Sequence, residues 1–226
     1  MNYIYEAEGK TKQDAEKKAL EVLGVSADQV SFKTVTSGKG FLGIVNKKPA
    51  VVRAYVKLDS VPVEVIVRGV VLTVIKKMGL DAEIEAIGEL DGNIYISLHS
   101  DDSGILIGKQ GRTLDALQFL VTLMIDSKYR QGKRIMIDVA SYRERRQQRL
   151  SRLARAVADR VHKTRQSVLL ESMNPYERRI VHLALEHDER VYTKSDGNGV
   201  YKRVRIIPMS ERPEVAEGEA FEQDEY

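Results

Sequence analysis

The glycine-bounded tetrad Gly108-Lys109-Gln110-Gly111 is the segment whose residue types and spacing point most directly to chemistry. Glycines at both ends let another backbone approach the turn closely, because no Cβ stands in the way. A helix opening at Arg112 would present free N–H groups and the positive end of its dipole to a phosphate. Lys109 and Arg112 add positive charge, and apolar walls that could receive unstacked bases come from Ile105, Ile107 and Leu114. The segment therefore predicts a phosphate contact, although a lone G-x-x-G is more often a tight turn between two helices.

A second candidate site combines an Arg–His pair with a basic strand near the C-terminus. Arg178 and His182 stand at i and i+4, so they would share one face of a helix that begins at Asn174-Pro175. The stripe expected to pack on the core lies roughly opposite and consists of Tyr176, Ile180, Leu183 and Ala184. In the last strand, one face carries Tyr201, Arg203 and Arg205, and the other carries Val204 and Ile206. These residues predict further phosphate contacts, with a plain solvated face as the alternative.

No set of residues assembles that would support catalysis or hold a metal. The chain of 226 residues contains no cysteine, which excludes thiol nucleophiles and thiolate zinc sites. Its four histidines lack metal-ligand spacing, and we expect His162 at the surface and His187 near the core. Segment 38–43 has the glycine spacing of a P-loop, but Ile44 and Val45 stand where Lys and Ser/Thr are required. The acidic residues Asp81, Glu83 and Glu85 leave a Mg²⁺-dependent nuclease as a remote alternative. We therefore predict a protein that is not an enzyme and needs no metal or cofactor.

Charge is distributed unevenly along the chain in a way that favours a polyanionic ligand. The net charge is +3, but residues 128–182 contain 15 basic and 5 acidic residues, a net of +10. Residues 209–226 contain one basic and seven acidic residues, a net of −6. A basic block of this size is typical of nucleic-acid binders, while a well-solvated helix is the other explanation. The absence of cysteine, of a signal peptide and of a long apolar run predicts a soluble, cytoplasmic protein.

The elements that would position these residues fall into three small units. Residues 1–57 show the order βαββ, with a helix from Thr11 to Gly24. Residues 64–140 show the order αββααβ, with a hairpin turn at Asp91-Gly92 and an inward face of Ala82, Ile84 and Ala86. Residues 141–208 begin with a capping box at Ser141–Glu144 and a long basic helix. The buried stripe expected on that helix is Leu150, Leu153, Ala154, Val157 and Val161. Residues 209–226 are predicted to be a disordered acidic tail.

Two of these units resemble nucleic-acid-binding domains. Residues 64–140 resemble a KH domain of the bacterial, type II topology, whose G-x-x-G loop clamps the backbone of about four single-stranded nucleotides. By position, this resemblance assigns the clamp to Gly108, Lys109, Gln110 and Gly111, with Ile107 and Arg112 on either side. Residues 141–208 resemble an R-three-H domain, a family named for an Arg-x-x-x-His signature that binds single-stranded nucleic acid. This second resemblance assigns Arg178 and His182 to the signature, and Lys202, Arg203 and Arg205 to supporting phosphate contacts.

The three units in this order resemble the bacterial Jag family, the SpoIIIJ-associated proteins also called KhpB. The likeness includes the N-terminal glycine loop at residues 38–43 and implies an α+β fold of three small domains in tandem. It implies a cytoplasmic protein that binds single-stranded RNA, with single-stranded DNA as the alternative ligand. It also implies an RNA chaperone or post-transcriptional regulator linked to cell elongation and cell-wall homeostasis.

The same resemblance implies partners for the chain. They are a small KH-only protein, or a second copy of this chain, and a peripheral contact with a membrane protein insertase. The competing hypothesis is a scaffold that docks to the insertase or to cell-wall machinery through its basic and N-terminal surfaces. Some relatives carry a phosphothreonine in a long charged linker, but here only about residues 57–64 join the first two domains, so no phosphorylation site is carried over.

Overall fold

A computed structural model describes residues 3–37, 49–56, 60–125, 130 and 132–212 of this chain. It forms two compact units, Met1–Tyr142 and Arg143–Tyr226. The predicted α+β class is confirmed, since the described residues form six helices and three separate three-stranded sheets. The predicted glycine loop at 38–43 and the predicted disordered tail beyond Arg212 lie outside the described residues. Within the described ranges, no helix combines the length and apolar character needed to cross a membrane.

The N-terminal part of the first unit has the predicted βαββ order. Its elements are β1 (Tyr5–Gly9), α1 (Lys12–Leu23), β2 (Val30–Ser37) and β3 (Ala50–Val56). The strands are antiparallel in the order β1-β3-β2. Both predicted ends of α1 are confirmed. The Thr11 hydroxyl accepts a hydrogen bond from the Asp14 N–H at 3.1 Å, and Gly24 ends the helix with a left-handed φ of 66°.

The remainder of the first unit has the predicted αββααβ order. Its elements are α2 (Val63–Lys77), β4 (Glu83–Leu90), β5 (Asn93–His99), α3 (Ser103–Ile107), α4 (Arg112–Met124) and β6 (Ile135–Val139). The central strand β5 runs antiparallel to β4 and parallel to β6. Asp91 and Gly92 form the predicted turn with φ of 49° and 74°. Helices α3 and α4 lie in the crossover from β5 to β6, and the G-x-x-G segment is the connection between them.

The predicted inward face of β4 is wrong at Ala86. The pairing of β4 with β5 shifts between Ile84 and Ala86, so that one residue is added to β4 at this point. A bulge of this kind moves every later side chain to the opposite face. Ala86 is therefore exposed, and Ile87 takes the half-buried position against the core.

Helix α2 joins the first two predicted domains into one compact unit. The Thr73 hydroxyl on α2 donates a buried hydrogen bond to the Ile4 carbonyl at 3.0 Å. At Gly69, an added Cβ would lie only 2.9 Å from the Leu23 side chain and 3.0 Å from the Ile4 carbonyl oxygen. The buried residues of both domains belong to one continuous hydrophobic cluster. Glycine at position 69 is what allows α2 to approach the N-terminal domain this closely.

The second unit builds its own core around another three-stranded sheet. After α5 (Tyr142–Thr164) come β7 (Val168–Met173), α6 (Pro175–Leu185), β8 (Val191–Asp196) and β9 (Lys202–Pro208). The strands are antiparallel in the order β7-β9-β8. A buried ion pair links the two helices, because the Arg146 Nε donates to the Glu177 carboxylate at 2.6 Å. The predicted start of α6 at Asn174-Pro175 is confirmed, with Asn174 accepting from the Glu177 N–H at 2.9 Å.

Two predictions for α5 are wrong. The backbone of Ser141 is left-handed, with φ 54°, whereas the first residue of a capping box is extended. In the stripe, Leu153 is exposed and Ala158 is buried in its place. The buried positions Leu150, Ala154, Ala158 and Val161 step by four, four and three residues. These residues belong to one hydrophobic cluster with Leu170 of β7 and with Val204 and Ile206 of β9.

The packing face predicted for α6 is also wrong in two of its four residues. Tyr176 and Leu183 are 57% and 54% exposed, although their spacing predicts a place in the core. The buried residues are instead Glu177, Arg178, Ile180, Val181 and Leu185. The difference arises because Glu177 and Arg178 are buried together with partners for their charges and hydrogen bonds. This rotation of the helix determines what the Arg–His pair can contact.

Candidate nucleic-acid interface

The G-x-x-G loop is a tight connection between the end of α3 and the beginning of α4. Gly108 ends α3 with φ 69° and ψ −174°, and its N–H donates to the Gly104 carbonyl at 2.9 Å. A turn of 3₁₀ helix, Lys109–Gly111, follows and leads directly into α4. Gly108, Gln110 and Gly111 all have positive φ, and Gln110 adopts this conformation although it has a side chain. These conformations make a tight turn in which Lys109 and Arg112 are exposed at the N-terminus of α4.

Both glycines of the loop are required by contacts inside the protein. A Cβ on Gly108 would lie 2.0 Å from the Thr113 hydroxyl oxygen, so the loop packs directly on the first turn of α4. A Cβ on Gly111 would lie 2.8 Å from the ring of Tyr142. Tyr142 is the last residue of the first unit and the first residue of α5. Nothing in the sequence around Tyr142 indicates this role, because Gly111 lies far away in the chain.

The apolar walls predicted beside the loop are only partly available. Ile105 on α3 is exposed, and Ile107 is half-buried. Leu114, by contrast, is fully buried in the core, so the prediction that it could receive a base is wrong. The loop is thus bordered by the exposed side of the short helix α3 and by two cations, Lys109 and Arg112.

Arg178 is almost fully buried and has a defined partner within the protein. Its side chain is on the inner side of α6, with 6% of the residue exposed. The Arg178 Nη1 donates to the carbonyl oxygen of Val200 at 2.9 Å. Val200 lies in the connection between β8 and β9, so Arg178 joins α6 to the end of this hairpin.

His182 faces the same hairpin one turn further along α6. Its Nδ1 lies 2.6 Å from the Thr193 hydroxyl, and its Nε2 lies 3.2 Å from the Ser195 hydroxyl. Both hydroxyls belong to β8. The structure therefore brings Arg178 and His182 onto one face of α6, as the spacing predicted, and directs that face at the β8–β9 hairpin.

The basic residues of β9 lie on two different sides of the sheet. Val204 and Ile206 are fully buried beneath the helices. Arg203 and Arg205 alternate with them and lie on the opposite, open side, while Lys202 has the same orientation as Val204. Arg205 Nε donates to the Asp196 carboxylate of β8 at 2.6 Å. The sheet therefore separates Arg203 and Arg205 from Arg178 and His182.

The remaining candidates for chemistry do not assemble into a site. Within the described ranges no three His, Asp or Glu side chains are grouped so as to hold a metal ion. The positions predicted for two histidines are wrong, because His187 is exposed and His162 is half-buried. The Nδ1 of His162 is enclosed and has no hydrogen-bond partner in the part of the chain that the structure describes.

Domain-family models match three consecutive parts of the chain. They are the Jag N-terminus at residues 7–56, the KhpA/KhpB KH domain at residues 64–139, and the R-three-H domain at residues 148–208. The matches agree with the βαββ and αββααβ orders and with the Arg-x-x-x-His helix described above. Fold and site together define a protein that combines a KH domain with an R-three-H domain behind a Jag N-terminal domain.

Curated relatives of similar length identify the family. The chain is 40% identical over 200 residues to the RNA-binding protein KhpB of Clostridium symbiosum, covering 87% of this chain and 88% of that protein. It is 33% identical over 204 residues to the RNA-binding protein KhpB of Bacillus subtilis (strain 168), covering 84% and 92%. The chain belongs to the KhpB family.

Proposed function

We propose that this protein binds single-stranded RNA in the cytoplasm through its G-x-x-G loop. The observation that carries the proposal is the loop geometry, in which three residues with positive φ place Lys109 and Arg112 at the N-terminus of α4. The positive end of the α4 dipole favours an anion at this point, and the two cations add to the attraction. The KH match, the R-three-H match and the RNA-binding relatives support the same ligand.

The preferred nucleic acid is expected to be unpaired. The narrow major groove of an A-form duplex admits no side chains, whereas a KH loop clamps the backbone of a single strand. We propose RNA as the ligand, and single-stranded DNA is the alternative that a binding assay must compare. The cellular role we propose is that of an RNA chaperone or post-transcriptional regulator linked to cell elongation and cell-wall homeostasis. It is supported by the family to which the chain belongs.

The test is a comparison of the wild-type chain with the Lys109→Asp/Gln110→Asp variant. The new carboxylates repel a phosphate that approaches α4, so we expect the variant to lose binding of a fluorescently labelled single strand. The fold should remain, because both positions belong to the surface turn and the left-handed position 110 tolerates Asp well. Thermal unfolding followed by circular dichroism checks the fold. The matched control, Gln13→Asp/Lys17→Asp, makes the same residue changes on the exposed side of α1.

Three outcomes of this assay would contradict the proposal. The first is wild-type affinity in the Lys109→Asp/Gln110→Asp variant, and the second is equal affinity for a hairpin stem and an unpaired strand of matched length. The third is an affinity that stays constant between about 50 and 200 mM salt, because phosphate contacts release counterions. Absence of RNA binding by the folded wild type would favour the scaffold that docks to an insertase or to cell-wall machinery.

A surface on α4 supports the proposal of a KH-only partner protein. Besides its buried stripe, α4 exposes apolar residues at i, i+3, i+4 and i+7: Ala116, Phe119, Leu120 and Leu123. Phe119 and Leu123 are each 66% exposed. A helix that is apolar on both sides is usually covered on both sides. We propose that a small KH-only protein covers this stripe with an equivalent helix, and that a second copy of this chain is the competing occupant.

The partner proposal is tested with Phe119→Asp/Leu123→Asp. Light scattering after size exclusion measures the mass of the chain alone and after mixing with a small KH-only protein of the same organism. We expect a mixed complex that the double variant abolishes. Leu153→Asp/Leu183→Asp, two exposed apolar residues of the second unit, is the control that should leave it intact. A complex that survives the α4 substitutions would contradict the proposal, and a dimer of the chain alone that they dissolve would identify the second copy.

A further inference from the structure

The open face of the C-terminal sheet carries cations from two adjacent strands. Strand β9 contributes Arg203 and Arg205, and Lys194 of β8 stands directly opposite Arg205 in the antiparallel register. Residues opposite one another on adjacent strands lie about 5 Å apart, and the next residue on the same face lies about 7 Å away. Lys194 and Arg203 are exposed, and Tyr201, just before β9, is 37% exposed. Lys194, Arg203 and Arg205 therefore form a compact basic surface, which we call the open sheet face.

The Arg–His signature lies on the other side of the same sheet. Thr193 and Ser195, whose hydroxyls contact both nitrogens of His182, alternate with Lys194 along β8. Their side chains consequently point toward α6, and that of Lys194 points away from it. Arg178 is buried and donates to the Val200 carbonyl at the end of the hairpin. Through these bonds, the signature pair sets the position of the two strands that carry the open sheet face.

We propose that the open sheet face contacts the phosphates of single-stranded RNA, and that Arg178 and His182 are positioning residues that hold this face in place. The inference rests on the proposed function of RNA binding. It assigns the RNA contact of the R-three-H domain to the open sheet face and not to the Arg178–His182 face. A single RNA strand is the proposed ligand, because closely spaced cations can contact its phosphates and a nearby exposed aromatic ring can stack on its bases.

The acidic residues on this side do not cancel its charge. The Asp196 carboxylate forms an ion pair with Arg205. Glu171 is exposed and lies at the bulge of β7, opposite Val204 of β9. Among the residues that the structure describes on this side, the three cations exceed the two acids by one charge. Because Asp196 partly neutralises Arg205, Lys194 and Arg203 are the residues expected to make the strongest phosphate contacts.

The decisive variant is Lys194→Gln/Arg203→Gln in the full-length chain. The probe is a labelled single-stranded RNA long enough to reach beyond the KH domain, and its affinity is measured over a series of salt concentrations. Loss of two phosphate contacts should decrease the slope of log affinity against log salt by about 1.4, since each single-strand contact contributes about 0.7. Lys12→Gln/Lys17→Gln on α1 removes the same number of exposed charges and should leave the slope unchanged.

A second variant separates positioning from contact. His182→Gln retains groups that can hydrogen-bond to Thr193 and Ser195 but cannot carry a positive charge. We expect it to keep the wild-type salt slope, whereas His182→Leu should lower both the melting temperature and the affinity. The proposal is overturned if His182→Gln decreases the salt slope by about 0.7, the value of one phosphate contact. It is also overturned if Lys194→Gln/Arg203→Gln behaves like its control. In either case the wild type still binds RNA, whereas failure of the proposed function would appear as a wild type without RNA affinity.

Discussion

At the scale of single residues, the G-x-x-G loop depends on two glycines for different reasons. Gly108 leaves space for the Thr113 side chain of the following helix, and Gly111 leaves space for the ring of Tyr142. Both also have positive φ, which strains any residue with a Cβ. The second contact is of particular interest because Tyr142 begins α5, the helix that leads into the R-three-H domain. The shape of the clamp is therefore coupled to the start of that helix.

Replacing Gly111 with alanine should destabilise the first unit through both backbone strain and the contact with Tyr142. We expect a loss of about 2–4 kcal/mol, of which about 1–2 kcal/mol is left-handed strain and the rest is overpacking. Urea unfolding followed by tyrosine fluorescence measures the change. Gly79→Ala is the matched control, because Gly79 has φ 77° against 78° for Gly111 and open space around the added Cβ. Equal losses in the two variants would show that the Tyr142 contact contributes nothing.

At the scale of secondary-structure elements, charged side chains join α5 to the segments packed on it. Arg146 and Glu177 connect α5 to α6 in a buried pair. Further along, Arg190 donates to Asp188 at 2.8 Å and to Asp159 of α5 at 2.9 Å, which ties the start of β8 to the long helix. The hydrogen bond from Arg190 holds the pKa of the Asp188 carboxyl below its ordinary value. Because of this lowered pKa, the contribution of the Asp188–Arg190 contact to stability depends on pH.

The stability of the second unit should decline in acid partly through Asp188. Because its pKa in the folded protein is lower than in the unfolded chain, the stabilisation is fully present above the unfolded value of about 3.9. It is lost as the pH falls through the folded value. Asp188→Asn should therefore show a smaller decrease in the free energy of unfolding than the wild type when urea unfolding is compared at about pH 5 and about pH 3.

The neighbouring substitution Glu189→Gln serves as the control for Asp188→Asn. Glu189 is exposed, and the described contacts of Arg190 involve Asp188 and Asp159 instead. We expect this variant to follow the wild-type pH profile. An Asp188→Asn profile parallel to that of the wild type would indicate that the bond with Arg190 does not contribute to stability.

At the scale of the whole molecule, the chain places two candidate RNA-binding surfaces in different compact units. The G-x-x-G loop belongs to the first unit and the open sheet face to the second, and the boundary between the units falls between Tyr142 and Arg143 within α5. Exposed arginines follow in the next turns of this helix, at Arg145, Arg149 and Arg152. An RNA strand that is bound at one surface has a raised local concentration at the other surface, because both surfaces belong to one chain.

RNA length should consequently affect affinity in a stepwise manner. Once a strand reaches both surfaces, linkage can raise the affinity by about 10²–10⁴ over either surface alone. A series of labelled oligonucleotides of increasing length measures this effect. Lys194→Gln/Arg203→Gln should remove the step and barely change the binding of a tetranucleotide, whereas Lys109→Asp/Gln110→Asp should weaken short and long strands alike. A smooth increase with length that both variants reduce equally would indicate that the two surfaces do not share a strand.

The sequence alone determined the order of the elements, the G-x-x-G connection, the ends of α1, the start of α6, and the turn at Asp91-Gly92. These features could be predicted because they depend on hydrogen bonds and backbone preferences within a few residues. The α6 capping box, for example, needs only Asn174 and Glu177. The Arg178–His182 spacing likewise placed both side chains on one helix face.

The tertiary structure alone decided which face of α6 is buried and which side of the sheet each cation occupies. Tyr176 and Leu183 made an apolar stripe as plausible as the true one. The buried Glu177 and Arg178, however, have their partners in other parts of the chain, at the Arg146 side chain and the Val200 carbonyl. The bulge at Glu85, the contact of Tyr142 with Gly111 and the packing of α2 on Ile4 have the same origin. Burial depends on contacts with residues that are distant in the sequence, and a local sequence pattern does not show which residues these are.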